Sequence, residues 1–60
     1  SRKNITYEKI DLILPERREE LIADLKARTG IDVIRVEIRR IDFLRDTANL
    51  RIFYYEEDSE

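Results

Sequence analysis

Two runs of alternating apolar residues, separated by a short polar break, constrain the fold of this chain more than any other feature. The first run lies within Ile31 to Phe43 and the second spans Leu50 to Tyr55, with the polar segment 45–49 between them. Alternation with a period of two indicates β-strands, and two such strands around a polar break indicate a hairpin. Because an isolated hairpin is marginally stable in water, the preceding residues are expected to supply a strand and a covering helix.

The length of 60 residues allows one domain with a thin core, since a chain of this size buries only about 60% of its unfolded surface. The chain has no cysteine and no histidine, so neither a disulfide nor a zinc site built on those residues stabilises it. A hydrophobic share of 42% and a net charge of −2 are typical of a globular protein. We therefore expect a single domain over residues 1–60, with an ordered body over about 4–56, an acidic tail over 57–60 and support from self-association.

The residues before the hairpin predict a strand followed by a helix. The strand is expected over Ile5 to Leu14, and its inward side would consist of Ile10, Leu12 and Leu14. Its other side would then carry Ile5, Tyr7, Lys9, Asp11 and Ile13. Pro15 ends the strand and suits the first turn of a helix that we expect to continue to Thr29.

The predicted helix has one narrow apolar stripe, formed by Leu21, Ile22 and Leu25, so it covers a single side of the sheet. Gly30 can adopt the left-handed conformation that ends a helix, and Ile31 can then pack back on Leu25. Leu14, at the N-cap, has no side-chain oxygen to accept a backbone N–H.

The second strand changes phase at Arg39-Arg40. Ile34, Val36 and Ile38 share one phase, whereas Ile41 and Phe43 have the other. A β-bulge at Arg39-Arg40 would turn all five side chains to the helix side. Without a bulge, Ile41 and Phe43 would face the opposite side. We favour the bulge because it alone lets both halves of the strand contribute to one core.

The element order β-α-β-β predicts an α+β fold, a half ferredoxin-like unit with a three-stranded sheet in the order 1-3-2 and one helix on one face. Leu50, Ile52 and Tyr54 would face the helix. The uncovered face is expected to mediate a symmetric homodimer, and the candidate interface residues are Tyr7, Phe53 and Tyr55.

The residue types argue against catalysis. Without histidine or cysteine, a general base would have to be a tuned carboxylate or lysine, and the only serines are Ser1 and Ser59. The acids Glu56, Glu57, Asp58 and Glu60 do not have the spacing of a calcium loop. We expect no catalytic, cofactor-binding or metal-binding residues, and no cofactor.

Arginines provide the other candidate chemistry. Arg39, Arg40 and Arg51 are candidate contacts for an anionic ligand, because guanidinium groups bind carboxylates and phosphates in bidentate geometry. Binding of single-stranded nucleic acid is a weaker alternative, since such proteins normally have a marked basic excess, and no nucleic-acid partner is expected.

A resemblance to a known family covers Leu14 to Tyr55. The stretch LPERREELIADLKARTGIDVIRVEIRRIDFLRDTANLRIFYY resembles the C-terminal segment of a functionally uncharacterised family of bacterial multi-pass membrane proteins. Its distinctive parts are the LPERREEL start, the RTG helix end and the RIDFLRDTANLRIFYY hairpin. The resemblance implies a soluble module on the cytoplasmic face of a longer, membrane-embedded protein. The family provides no catalytic residues to transfer.

Together these features predict a non-catalytic cytoplasmic interaction or assembly module of a bacterial membrane protein, self-associating through its sheet. The alternative is a small-ligand or anion-sensing regulatory module. The chain starts at Ser1 and has no apolar stretch of the roughly 20 residues that span a bilayer, so we expect a soluble piece of a longer protein.

Overall fold

The computed structural model describes residues 1–56 and has the predicted element order. Strand β1 spans Arg2–Tyr7, helix α1 spans Arg18–Thr29, strand β2 spans Val33–Asp42 and strand β3 spans Thr47–Tyr54. Two short 3₁₀ helices, Ile10–Ile13 and Pro15–Arg17, connect β1 to α1. The acidic tail predicted over 57–60 lies outside the described residues. None of the helices within residues 1–56 is long and apolar enough to cross a membrane.

The three strands form one antiparallel sheet in the order β1-β3-β2, which confirms the predicted α+β topology. Strand β3 lies in the centre because its apolar residues pair with both neighbours. Ile5 of β1 and Ile38 of β2 both lie opposite Leu50. Leu50 and Ile52 are completely buried beneath α1, as expected for the inward side of the central strand.

The first strand lies earlier in the chain than the alternation predicts. It ends at Tyr7, and the segment Ile10–Ile13 is a 3₁₀ helix. In a 3₁₀ helix, residues three apart lie on the same side, so Ile10 and Ile13 both pack against the core. The first strand is present, but its predicted bounds of Ile5 to Leu14 are wrong beyond Tyr7, and Leu14 is exposed.

Tyr7 lies in the core, which corrects its predicted place on the uncovered face. It is opposite Ala48 in the sheet and points to the same side as the buried residues of β3. Only 2% of its surface is exposed. Ile5 is on this side as well, because it lies two residues before Tyr7 on the same strand.

Helix α1 has the predicted face and the predicted end. Its first turn is preceded by the tighter Pro15–Arg17 turn, in which the Arg17 N–H donates to the Leu14 carbonyl at 2.9 Å, and the side chain of Leu14 makes no capping bond. Leu21 and Leu25 are buried, and Ile22 packs beside them. Gly30 is left-handed at φ 74°, which lets its N–H donate to the Lys26 carbonyl.

The predicted bulge is present at Arg39. Ile38 lies opposite Leu50, and the next paired residue is Arg40, opposite Asn49, so Arg39 is the additional residue. Ile41 is consequently opposite Ala48, on the helix side, as predicted. This side chain is nevertheless 41% exposed, since α1 does not extend to this end of the sheet.

Phe43 is not in the core, contrary to the prediction. Strand β2 ends at Asp42, and Phe43 begins the turn to β3. The turn starts there because the Asp42 carboxylate accepts the Leu44 N–H at 3.0 Å and the Arg45 N–H at 3.1 Å. The polar break at 45–49 therefore contains only part of the turn, and β3 already begins at Thr47.

A second irregularity, at Ile34, was not predicted. Val33 lies opposite Tyr54 and Arg35 opposite Phe53, so Ile34 is an additional residue at the start of β2. As a result Val33 is buried and Ile34 is 48% exposed, the reverse of the expected pattern. Valine and isoleucine have the same β-propensity and apolar character, so the sequence does not distinguish them here.

Arg18 protects the outer edge of the sheet. Its Nη1 donates to the Val36 carbonyl at 3.1 Å, and its Nη2 donates to the Ile13 carbonyl at 3.5 Å. Because β2 is an edge strand, some of its carbonyls have no partner within the sheet. The Arg18 side chain satisfies one of them and holds the start of α1 against β2.

Candidate functional site

The side of the sheet opposite α1, here called the open face, carries mostly polar and charged side chains. Strand pairing and side-chain contacts place on it Arg2, Asn4, Thr6, Arg35, Glu37, Arg39, Arg40, Asp42, Thr47, Asn49, Arg51 and Phe53. Five of these residues are arginines and two are carboxylates. The open face is therefore a positively charged surface, and not the apolar surface that the position of the aromatics predicts.

An ion-pair row along β2 organises one side of the open face. One carboxylate oxygen of Glu37 accepts a hydrogen bond from Arg35 Nη1 at 2.9 Å. The other oxygen accepts one from Arg39 Nη1 at 3.1 Å. The hydrogen bond from Arg35, supported by that from Arg39, lowers the pKa of Glu37 below its usual value. Because one carboxylate serves two guanidinium groups, the row retains a positive charge.

The predicted interface residues do not form one patch. Phe53 is on the open face, as predicted, but it is half-buried and its ring is covered by the Arg35 guanidinium at 3.9 Å from the centroid. Tyr55 is 81% exposed and lies beyond the end of β3. With Tyr7 in the core, only Phe53 remains on the surface assigned to all three, and it lies near the end of β3.

Arg39 and Arg51 line the same cleft on the open face. The cleft has a volume of about 290 Å³ and is shared with Asn4, Thr6 and Asn49. Arg51 Nε donates to the Asn4 side-chain oxygen at 3.2 Å, and the Thr6 hydroxyl donates to the Asn49 side-chain oxygen at 3.3 Å. These bonds orient the side chains across β1 and β3, so that guanidinium and amide donors border one space.

Arg40 lines a neighbouring cleft of about 240 Å³ with Asp42, Thr47 and Asn49. Asn49 borders both clefts, so the three candidate anion contacts predicted from the sequence lie side by side on one surface. Within residues 1–56, no carboxylate forms an ion pair with Arg40 or Arg51. Their charges are therefore available to a ligand or partner.

Sequence reasoning missed the polar residues that complete the larger cleft. Asn4 precedes the predicted strand, and Thr6 has the phase of that strand's predicted inward side, so neither was expected on this surface. Asn49 was assigned to the turn. The alternation of Asn4 and Thr6 with Ile5 and Tyr7 is the signal that identifies a half-buried strand at this position.

The described part of the chain shows no arrangement typical of a metal or nucleophile site. No three metal-ligating side chains lie together within residues 1–56. The one hydroxyl in the larger cleft, that of Thr6, donates to an amide oxygen rather than to a base. What the clefts offer chemically is a set of fixed hydrogen-bond donors with positive charge.

Comparison with known proteins gives a family but no characterised relative. The family described as Domain of unknown function (DUF4956) matches residues 1–54. No curated protein and no solved structure matches the chain. The matched range contains all three strands and α1, so the open face and both clefts lie within the family domain.

Proposed function

This chain belongs to the DUF4956 family of unknown function, and from this premise we propose that it is a non-catalytic interaction module whose open face binds anionic groups. The observation that carries the proposal is the cleft in which Arg39 and Arg51 converge with Asn4, Thr6 and Asn49. A small ligand and a partner protein can both present such an anionic group, and the open face would recognise it by the same chemistry in either case.

The geometry of Arg51 supports binding of a carboxylate or phosphate. Its bond to Asn4 uses Nε and leaves the two terminal nitrogens available to donate in parallel to one ligand. Asn4 holds the side chain in position before binding, which lowers the entropy cost of ordering it. The strands beneath are paired along their length, so the donors project from a rigid support.

Titration with inorganic phosphate, followed by NMR of the backbone amides, tests this function. Shifts are expected at Thr6 and Asn49, which lie in the cleft. Arg51→Gln and Arg39→Gln should each weaken binding, whereas Arg17→Gln should not. Arg17→Gln is the matched control, because this substitution removes the same charge at a site outside the cleft, where Arg17 pairs with Asp11 and Glu20.

If Arg17→Gln weakened binding as much as Arg51→Gln, the interaction would depend on net charge alone and the cleft would not be the site. The absence of shifts at both Thr6 and Asn49 would contradict anion binding by the open face.

Self-association through the open face is a second candidate function. It is supported by the thin core of a 60-residue chain and by the mixed charges of the open face. In a twofold pair, Glu37 of one copy could meet Arg40 or Arg51 of the other, neither of which forms an ion pair within residues 1–56. Light scattering over a range of concentrations is expected to show a dimer that Phe53→Glu weakens, and a constant monomer mass would contradict it.

We also propose that the domain belongs to a longer bacterial membrane protein and lies on its cytoplasmic side. The support is the resemblance over Leu14 to Tyr55 described above. The complete reading frame provides the test, since membrane-spanning segments before residue 1 are expected, and their absence from it would contradict this context.

A further inference from the structure

The turn between β2 and β3, residues 43–46 and here called the tip, presents two adjacent apolar side chains to solvent. Phe43 is 75% exposed and Leu44 is 90% exposed, and Ile41 at the base of the tip is 41% exposed. None of the three contributes to the buried core. Large apolar side chains clustered at one exposed point indicate a contact surface.

The tip lies at one end of an elongated molecule. The principal extents are 41 × 19 × 16 Å, and a ten-residue strand such as β2 is roughly 33 Å long, so the hairpin follows the longest axis. Phe43 and Leu44 therefore project from an end, where they can reach a surface without interference from α1.

The backbone of the tip is already hydrogen-bonded. The Asp42 carboxylate accepts the N–H groups of Leu44 and Arg45, and Arg45 Nη1 contacts its second oxygen at 3.2 Å. Burial of an N–H without a partner is costly, and these bonds remove that cost for two groups. The contact with Arg45 also compensates the negative charge of Asp42, which lowers the cost of bringing this residue near a less polar environment.

Arginines surround the apolar pair. Arg39 and Arg40 precede the tip, Arg45 and Asp46 lie within it, and Asp42 is at its base. Residues 39–46 thus have three arginines against two acids, a net charge of +1. Arg40 has no ion-pair partner among residues 1–56. Positive charge beside exposed aromatic and aliphatic side chains is complementary to an anionic lipid surface.

We propose that the tip is a membrane-contacting wedge, in which Phe43 and Leu44 enter the interfacial region of an anionic bilayer and the neighbouring arginines contact lipid phosphates. A bilayer suits this surface better than a protein partner does. A stable protein interface buries roughly 800 Å² on each side, far more than three side chains at the end of a hairpin provide. Interfacial insertion requires no such area.

The absence of tryptophan from the chain allows a direct test. Phe43→Trp introduces a single tryptophan at the tip, and Tyr55→Trp introduces one just beyond the opposite end of β3, at a site that is 81% exposed. Vesicles of phosphatidylcholine and phosphatidylserine in equal parts should shift the emission of Phe43→Trp to the blue and leave Tyr55→Trp unchanged. Vesicles of phosphatidylcholine alone should give a smaller shift.

Co-sedimentation with the same mixed vesicles supplies the second measurement. The variant Phe43→Ser with Leu44→Ser should bind roughly tenfold more weakly or worse, with an unchanged unfolding midpoint, because both residues are exposed. Arg51→Gln, which alters the cleft of the proposed function, should retain the blue shift of Phe43→Trp and thus separates the two proposals.

Two results would overturn the wedge. One is an equal affinity of the double-serine variant and the wild-type protein for vesicles, which would show that charge alone drives binding. The other is a dimer in lipid-free solution that the double-serine variant abolishes, which would assign the tip to a second copy of this chain.

Discussion

The hydroxyl of Tyr7 donates a hydrogen bond of 2.5 Å to the carboxylate of Asp24 and thereby joins the end of β1 to the middle of α1. Asp24 also accepts from Lys9 Nζ at 3.3 Å and from Arg28 Nη1 at 3.1 Å. Burial, together with the bond to Asp24, raises the pKa of Tyr7 above its ordinary value of 10.0. The aromatic ring fills the core while the hydroxyl satisfies a partly buried acid.

Tyr7→Phe is expected to destabilise the domain by about 1–2 kcal/mol, because it removes a hydrogen bond to a charged group without creating a cavity. Urea denaturation measures the loss. In a double-mutant cycle with Asp24→Ala, the coupling energy should account for most of it. A coupling energy near zero would show that the bond contributes nothing to stability and that the ring alone matters.

Acid should weaken the domain through Asp24. The hydrogen bond from Tyr7, and then those from Arg28 and Lys9, hold the pKa of Asp24 below its ordinary value of 3.8. The unfolded chain therefore takes up this proton at a higher pH than the folded domain does. The stabilisation that the ionised Asp24 gives the folded domain is complete above the ordinary pKa of the carboxyl group. It is lost as the pH falls through the lower pKa of Asp24 in the folded domain.

The expected observation is a decline in the urea midpoint of the wild-type protein below about pH 4, steeper than in Asp24→Asn. The variant lacks the titrating group but keeps the size of the side chain. Parallel declines in the two proteins would assign the acid sensitivity to other carboxylates. Glu8 and Glu20 are such groups, because hydrogen bonds from Arg28 and Arg17, respectively, lower their pKa values.

Leu25→Ala should cost about 2–5 kcal/mol, because the side chain is 2% exposed and lies in the centre of the face of α1 that packs on the sheet. The loss of so large a part of the stability of a small domain would leave the variant unfolded or nearly so. Arg28→Ala, one turn further along α1, is the control and should have a much smaller effect, since its contacts to Glu8 and Asp24 are on the surface. Equal denaturation midpoints for Leu25→Ala and wild type would exclude the assigned face.

Deletion of Arg39 should be tolerated, with a loss of less than about 1 kcal/mol. Without this residue, Ile38 remains opposite Leu50 and Arg40 opposite Asn49 in a regular ladder. Deletion of Glu37 is the control and should unfold the domain, because it turns the preceding half of β2 to the wrong side. Denaturation curves that are equally impaired for both deletions would contradict the register described here.

The sequence alone determined the elements whose signals extend over many residues. Leu21, Ile22 and Leu25 recur at helical spacing, and Gly30 marks the end of that helix. The change of phase between Ile38 and Ile41 requires an additional residue if both are to reach one core, so the pattern favoured the bulge over a regular strand. The sheet order followed from the element order and from the apolar character of Leu50 to Tyr55.

Only the tertiary structure decided features that depend on short, ambiguous segments. Alternation fits the range 5–14 as well as it fits 2–7, and pairing with β3 selected the latter, which moved Tyr7 into the core and Asn4 and Thr6 to the open face. Phe43 has the phase of a core residue, yet the bonds of Asp42 to the turn place it in solvent. Periodicity describes which side a residue takes within a strand, whereas pairing partners and turn hydrogen bonds determine where the strand begins and ends.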